Sequence, residues 1–306
     1  MTAIDPAGFN GSVTFATLST WSGAGRKLVV SHFPGGLAMT ETDIIFAGSI
    51  PLLYDKYLGS VLFEPFAEDL AKLLPELSAG RVLETAAGTG IATRALLRSI
   101  PISVSLVATD LNQPMLDHAA AQTSASNVTW QKIDAQSLPF ADGTFDAAVC
   151  QFGVMFFPEK PRAYREARRV LKPGGHFIFN VWDRIEDNEF SDVVTAAMAE
   201  MFPDDPPLFL ARTPYGYHDQ RLIVDELRSA GFTVTKLETL TRRSLASSCR
   251  DPAIGFCQGS PLRNEIESRD ASRLAEATEL AGRRIRERFG DGSVDGKMQA
   301  HVIIAS

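Results

Sequence analysis

The sequence predicts a doubly wound α/β fold with a mainly parallel sheet, and two observations carry most of that prediction. Short apolar runs at 81–85, 104–109, 127–132, 145–150 and 176–182 are separated by stretches with helical spacing. That rhythm belongs to strands joined by crossover helices. The first run, Val82-Leu83-Glu84-Thr85, breaks into the small-residue turn Ala86-Ala87-Gly88-Thr89-Gly90 and opens a helix through Ile91, Ala92, Ala95 and Leu96. Two glycines at such a turn let backbone approach a ligand closely, and the helix that follows aims unpaired N–H groups at it. A nucleotide-like cofactor at this turn is the first expectation.

Composition narrows the class. With 45% hydrophobic and 22% charged residues in a chain of 306, a globular protein with a sizeable core is expected. The net charge of −7 argues against a nucleic-acid partner. No apolar run approaches the roughly 18 residues of a membrane span. Asp5 near the start, with no early basic cluster, does not suit a secretory signal. The three cysteines, Cys150, Cys249 and Cys257, lack metal-ligand spacing. They read as reduced thiols of a cytoplasmic protein, with no metal site.

Taken in order, residues 1–48 show many Gly, Ser and Thr and no sustained periodicity. They predict an N-terminal arm ahead of a domain over 49–306, with Met39 as an alternative natural start. Residues 50–58 are amphipathic and aromatic, and Leu62, Phe66, Leu70, Leu73 and Leu77 recur at helical spacing up to Pro75 and Gly80. After the first strand and its helix, 104–109 forms a second strand ending at Asp110. Pro114 then sits in the first turn of a helix through Met115, Leu116, Ala119 and Ala120. The third strand ends near Asp134, and the fourth covers 145–150. Pro161 opens a helix that Lys172-Pro173-Gly174-Gly175 stops before the fifth strand. Beyond 182 the rhythm is interrupted: a helix at 188–201, a Pro-rich connector, a helix at 220–230 ended by Gly231, and a strand at 232–240. Helical segments follow over 242–297, including a charged one at 270–289, and a strand at 299–305 closes the chain.

The Gly-rich turn alone serves several cofactors. Its spacing, Ala86-x-Gly88-x-Gly90-x-x-Thr93, fits the dinucleotide fingerprint poorly. Asp110 suits either cofactor type, because a carboxylate accepts hydrogen bonds from vicinal ribose hydroxyls. The combination discriminates. Residues 82–90, Thr109-Asp110-Leu111-Asn112, Asp134-Ala135-Gln136-Ser137-Leu138-Pro139-Phe140, Phe145-Asp146 and Arg169-Val170-Leu171-Lys172-Pro173-Gly174-Gly175 follow one another at one-unit intervals. This string resembles the class I S-adenosylmethionine-dependent methyltransferases, especially the small-molecule branch related to the ubiquinone/menaquinone C-methyltransferases. The motifs cover about 80–182, and the closing strand suits that family's antiparallel final strand.

The resemblance implies a Rossmann-like sheet of seven strands, mostly parallel, with an antiparallel final strand, helices on both faces and helical lid insertions at about 183–219 and 242–297. It implies S-adenosylmethionine as cofactor and a small organic molecule as methyl acceptor. Glu84 would stand near the methionyl amine, with Ala86, Gly88 and Gly90 giving the backbone its close approach. Asp110 would bind the ribose hydroxyls, and Leu111 and Met115 would pack beside adenine. Asp134 would accept from the adenine amino group, with Ala135 and Gln136 adjacent, and Gln151 and Phe152 would line the methionyl and acceptor side. Two positions depart from the family pattern: Ala86 replaces its usual first glycine, and Glu84 its frequent Asp. A methyl group at Ala86 is tolerable at a negative φ.

Methyl transfer from a sulfonium is an in-line displacement that needs chiefly positioning and exclusion of water. A general base enters only when the acceptor must lose a proton. The residues offer no evident dyad. His218, in Tyr215-Gly216-Tyr217-His218, and Tyr54 are the weak catalytic candidates, and Trp182, Phe202 and Phe209 could form an apolar acceptor wall. A nicotinamide-dependent oxidoreductase and a non-catalytic, S-adenosylmethionine-binding regulatory protein are the alternatives.

Overall fold

A computed structural model describes residues 39–306. Its centre is one seven-stranded sheet in the order β3-β2-β1-β4-β5-β7-β6. The strands are β1 (Gly80–Thr85), β2 (Val104–Asp110), β3 (Val128–Lys132), β4 (Phe145–Gln151), β5 (Leu171–Trp182), β6 (Val234–Ala246) and β7 (Val294–Ala305). The first five run parallel, and β7 lies antiparallel between β5 and β6. Parallel strands are covered on both faces and so read as unbroken apolar runs. Accordingly, Ala147, Ala148, Val149 and Cys150 of β4 and Ile178, Phe179 and Val181 of β5 are fully buried.

The N-terminal helix differs from the sequence expectation. In place of one helix reaching Leu77, the chain forms α1 (Ile50–Leu58), a π turn (Gly59–Phe63) and α2 (Glu64–Ala71). A proline disfavours helical backbone in the residue before it, so the helix ends short of Leu74-Pro75. Leu73 and Leu77 still pack against the core from the loop. The connecting helices are α3 (Ile91–Ser99), α4 (Gln113–Ala121) and α5 (Lys160–Val170).

The Lys172–Gly175 turn falls inside β5. The ladder pairs Phe145 with Leu171 and Ala147 with His176, so residues 172–175 bulge out between them. Lys172 Nζ meets Asp146 Oδ1 at 2.7 Å, and the Arg81 N–H donates to Asp146 Oδ2 at 2.8 Å. A Cβ at Gly175 would stand 3.0 Å from the Asp146 carbonyl oxygen. The turn therefore clamps the starts of β1 and β4 together.

Past β5 lie α6 (Glu189–Met201), α7 (Phe209–Arg212) and α8 (Gln220–Ser229). The insertion expected at 242–297 is shorter, because β6 and β7 run on together as a long antiparallel ribbon pairing Ala246 with Val294. The polar run Thr241-Arg242-Arg243-Ser244 conceals this, since an edge strand can carry such residues. Between the ribbon's ends sit α9 (Arg250–Gln258), α10 (Leu262–Asp270) and α11 (Leu274–Phe289). The charged helix expected at 270–289 begins only at Leu274; Asp270 instead accepts from the Ser272 N–H at 2.9 Å and starts a 3-10 turn.

A buried ion cluster ties three distant segments into a roof over the carboxyl ends of the strands. Arg212 of α7 donates to Asp43 through Nε at 3.1 Å and to Glu265 Oε1 of α10 through Nη2 at 2.5 Å. The Thr213 hydroxyl donates to Asp43 Oδ2 at 2.7 Å, and the Leu208 N–H to Glu265 Oε2 at 2.8 Å. Every acidic oxygen named here has a partner, as a buried pair requires. Of the arm expected over 1–48, residues 1–38 lie outside the described residues, whereas Met39 and Asp43 are buried.

Candidate active site

The site begins at the break between β1 and α3. Backbone bonds fold this turn against the end of β2: the Ala87 N–H donates to the Thr109 carbonyl at 2.9 Å, and the Gly88 N–H to Asp110 Oδ2 at 2.9 Å. The other Asp110 oxygen accepts from the Asn112 N–H at 2.7 Å. The Asn112 side-chain amide also donates to that oxygen, at 3.4 Å, so of the four lone-pair sites Asp110 keeps one, on Oδ2, for a further donor. Burial raises its carboxyl above the ordinary range, against the hydrogen bonds from Asn112 and Gly88.

Glu84 is buried behind the turn, where the Thr93 hydroxyl donates to its Oε2 at 2.6 Å. Burial pushes its carboxyl up to about 8; the Thr93 bond opposes the rise, nearby Asp110 adds to it, and Arg94 opposes it. Arg94 reaches the Thr89 carbonyl at 2.9 Å and Asp55 of α1 at 3.1 Å, linking the cofactor turn to the helix above it.

Ala86 has φ +54°, so its backbone is left-handed and the condition of a negative φ, under which its methyl would be tolerable, is not met. For an L-residue this conformation costs roughly 1–2 kcal/mol, which glycine would not pay. Room for the methyl comes from Gly153, where a Cβ would fall 2.4 Å from the Ala86 Cβ and 2.7 Å from Cys150 Sγ. The two positions thus form a compensating pair. Gly90 differs from its expected role: it is absent from the cavity walls. A Cβ there would stand 3.0 Å from the Ala119 Cβ and 3.1 Å from Trp130 Cη2, so Gly90 serves helix packing.

Three adjoining cavities open along this turn. The main one, about 290 Å³, is lined by Ala86, Gly88, Asp110, Leu111, Met115, Asp134, Ala135, Gln136, Gln151 and Phe152, all of which the sequence singles out. A small lobe of about 30 Å³ adds Glu84 and Thr89 to Ala86, Gly88 and Gln151. A third, about 40 Å³, is apolar and bounded by Phe63, Trp182, Phe209, Tyr215 and Phe256. Asp134 is held by the Gln136 N–H at 2.8 Å, and Gln136 accepts from the Glu159 N–H at 2.8 Å.

The catalytic candidates separate. Tyr54 lines all three cavities. Burial, with Asp110 and Asp55 nearby, raises its phenol, so it stays protonated at neutral pH. His218 lines none of the three; its Nδ1 lies 2.9 Å from the Tyr215 carbonyl oxygen. Of the expected acceptor wall, Trp182 and Phe209 face the apolar lobe, while Phe202 sits elsewhere beneath the Arg273 guanidinium at 5.0 Å. Sequence reasoning missed Phe46, Phe63, Asn112, Phe156, Phe157 and Pro158 on the walls. Asn112 closes the Thr109–Asn112 motif without being assigned a role, and Phe156-Phe157-Pro158 is a visible aromatic run; Phe46 has no local signal.

The donor set suits one kind of ligand. Gln151 Nε2 donates to the Phe63 carbonyl at 2.8 Å, leaving its buried Oε1 without a partner, and the buried Thr89 hydroxyl also has none. Together with Glu84 and Asp110, these are polar groups with unused hydrogen-bonding capacity, the Gln151 oxygen and the ionised carboxylates as acceptors. An amine and a ribose diol supply the donors.

Comparison with known proteins agrees. The chain belongs to the class I S-adenosylmethionine-dependent methyltransferases, and a family model described as a methyltransferase domain matches residues 83–179. Within that class it is related to the ubiquinone/menaquinone biosynthesis C-methyltransferases UbiE. It is 30% identical over 173 residues to the Marinomonas sp. protein, covering 52% of this chain and 69% of that one. It is 29% identical over 177 residues to that of Saccharophagus degradans, covering 54% and 71%. Among solved structures, the cyclase SpnF superposes with a TM-score of 0.52 at 22% identity, covering 79% of each chain. YcgJ from Bacillus subtilis gives 0.50 at 19% identity, covering 79% of this chain and 97% of that one. These two show the fold alone. The protein is an enzyme whose cofactor is S-adenosylmethionine.

Two outcomes follow from the geometry. Ala86→Gly raises the urea midpoint, by about 1 kcal/mol in stability, opposite in sign to an ordinary Ala→Gly change. Gly153→Ala lowers it by about 1–3 kcal/mol through overpacking, and Ala86→Gly restores part of that loss. The raised Glu84 carboxyl means the folded protein holds a proton that the unfolded chain releases above its ordinary 4.5. Stability of the cofactor-free protein is therefore fullest below about pH 4.5 for this group, falls as pH rises, and levels off above about 8. Denaturant unfolding at pH 6 and pH 8.5 measures the fall, and Glu84→Gln flattens it; an equal slope in the variant contradicts the assignment.

Proposed function

We propose that the enzyme methylates a small, largely apolar acceptor, and that it does so mainly by positioning. The observation that carries this reading is the apolar lobe adjoining the acid-lined cofactor cleft, walled by Phe63, Trp182, Phe209 and Phe256. In this reading Glu84, Gln151 and the backbone at Ala86 and Gly88 hold the amino-acid end of the cofactor. Asp110 takes the ribose hydroxyls, Leu111, Met115 and Ala135 flank the base, and Asp134 with Gln136 meets its polar edge. When bound, S-adenosylmethionine supplies a methyl carbon activated by positive charge.

The chain's own part is to orient the acceptor and exclude water. Tyr54, a protonated phenol without a hydrogen-bond partner among the described residues, is suited to donate to the acceptor rather than to take its proton. No His, Lys or Arg lines the apolar lobe. The acceptor accordingly brings its own nucleophile, as an electron-rich carbon or an already ionised oxygen does. A lobe of about 40 Å³ is too small for a ring compound, so admitting one requires the wall residues from α1, α7 and α9 to move outward. The acidic charge balance and the absence of a basic cavity wall support a small-molecule acceptor over nucleic acid. Cysteine usage supports a cytoplasmic location; among the described residues no helix is long and apolar enough to cross a membrane.

Asp110→Ala weakens S-adenosylmethionine binding by about 1.5–3 kcal/mol, the scale of charged hydrogen bonds. Calorimetric titration measures this; an unchanged dissociation constant would place the ribose elsewhere. Labelled methyl donor with a panel of apolar phenols and enols gives labelled product, and cofactor binding without transfer to any acceptor contradicts the reading.

A further inference from the structure

The three cavities meet at a ring of aromatic side chains. Tyr54 borders all three, Phe63 borders the Glu84 lobe and the apolar lobe, and Phe152 borders the main cleft and the apolar lobe. The Tyr54 and Phe63 rings stack with centroids 4.8 Å apart, Phe63 and Phe152 are 5.9 Å apart, and Phe46 meets Tyr54 edge-on at 5.8 Å. Phe152 is fixed from behind by Trp182, stacked at 3.7 Å, and by its own N–H donating to Asn180 Oδ1 at 2.9 Å. It holds φ +48°, a left-handed conformation that rigid surroundings must sustain.

Charge around this junction is one-sided. Among the described residues, the three walls carry Asp110, Asp134 and Glu84 and no Lys, Arg or His. This lining favours a ligand that brings positive charge, and the shared aromatic residues lie where the cofactor and acceptor lobes join. Aromatic faces attract a cation through their quadrupoles, most strongly where water is excluded.

We propose that Tyr54, Phe63 and Phe152 form a collar that recognises the sulfonium charge itself, distinguishing the methyl donor from its neutral thioether product. This rests on the proposed cofactor site, and it goes beyond it: the collar senses a charge that adenosine, ribose and amino-acid contacts do not report. Donor and product share every other group, so those contacts bind both alike. Loss of the charge upon transfer weakens the collar's hold and favours product release.

The test is calorimetric titration with S-adenosylmethionine and S-adenosylhomocysteine side by side. Replacing Phe63 or Tyr54 by Leu lowers affinity for the sulfonium relative to the thioether by about three- to thirtyfold, the range for desolvated cation–π contacts. Trifluorinated phenylalanine in place of Phe63 keeps the ring's packing while draining its face of negative charge, and it lowers the same ratio by a smaller factor. This second substitution decides the matter where the Leu variants fail to fold. An unchanged ratio, with both affinities falling equally or neither falling, overturns the collar while leaving the cofactor site intact. Failure of the unaltered protein to bind either ligand overturns the collar together with the cofactor site.

Discussion

The hydrogen bond from the Gly88 N–H to Asp110 joins the two strand ends on which the site is built. It fixes the turn after β1 against the end of β2, and through Asn112 it reaches the segment that brings Phe46 over the cleft, the Phe46 N–H meeting Asn112 Oδ1 at 3.4 Å. Because the bond uses only one site on an oxygen, the carboxylate remains a ligand group as well as a structural one. The cost is a buried acid with no cationic partner. Glu84 shares that condition, held by a neutral hydroxyl alone among close contacts.

The resulting site is stable as a fold yet electrostatically incomplete. Its acids, the orphan Gln151 oxygen and the aromatic junction all favour an incoming cation. Chemistry of this kind suits a donor activated by its own charge. It also explains why no acid–base dyad stands in the cavity: the reaction asks for placement and dryness. Placement comes from the roof, where Arg212 binds Asp43 and Glu265 into a unit spanning residues 39–48, α7 and α10. Buried charges of this kind are weak evidence for net stability, whereas removing one partner leaves the others uncompensated.

Much of the sheet was readable because parallel strands must be apolar and their turns must be small. The motif residues Asp110, Met115 and Asp134 fall on one cavity for the same reason: strand ends on one side of a doubly wound sheet converge. What escaped were features set by long-range contacts. The positive φ at Ala86 depends on space left by Gly153, far away in sequence, and the β6–β7 ribbon is masked by polar edge residues. Gly90 looked like a ligand-approach glycine but is demanded by Ala119 and Trp130. Phe202 and His218 illustrate the opposite limit, since residue type suggests chemistry while neither side chain lines the three cavities.

Buried acids in the cleft await a cationic cofactor, and proton release on binding reports their state. Burial places Glu84 at about 8 in the free protein, so at pH 7 the carboxyl is largely protonated and must ionise when an amine arrives. Titrating S-adenosylmethionine into the protein in buffers of different ionisation enthalpy measures the protons exchanged. Release approaching one proton at pH 7 is expected, lost in Glu84→Gln. A binding heat independent of buffer, or the same release in the variant, would contradict it.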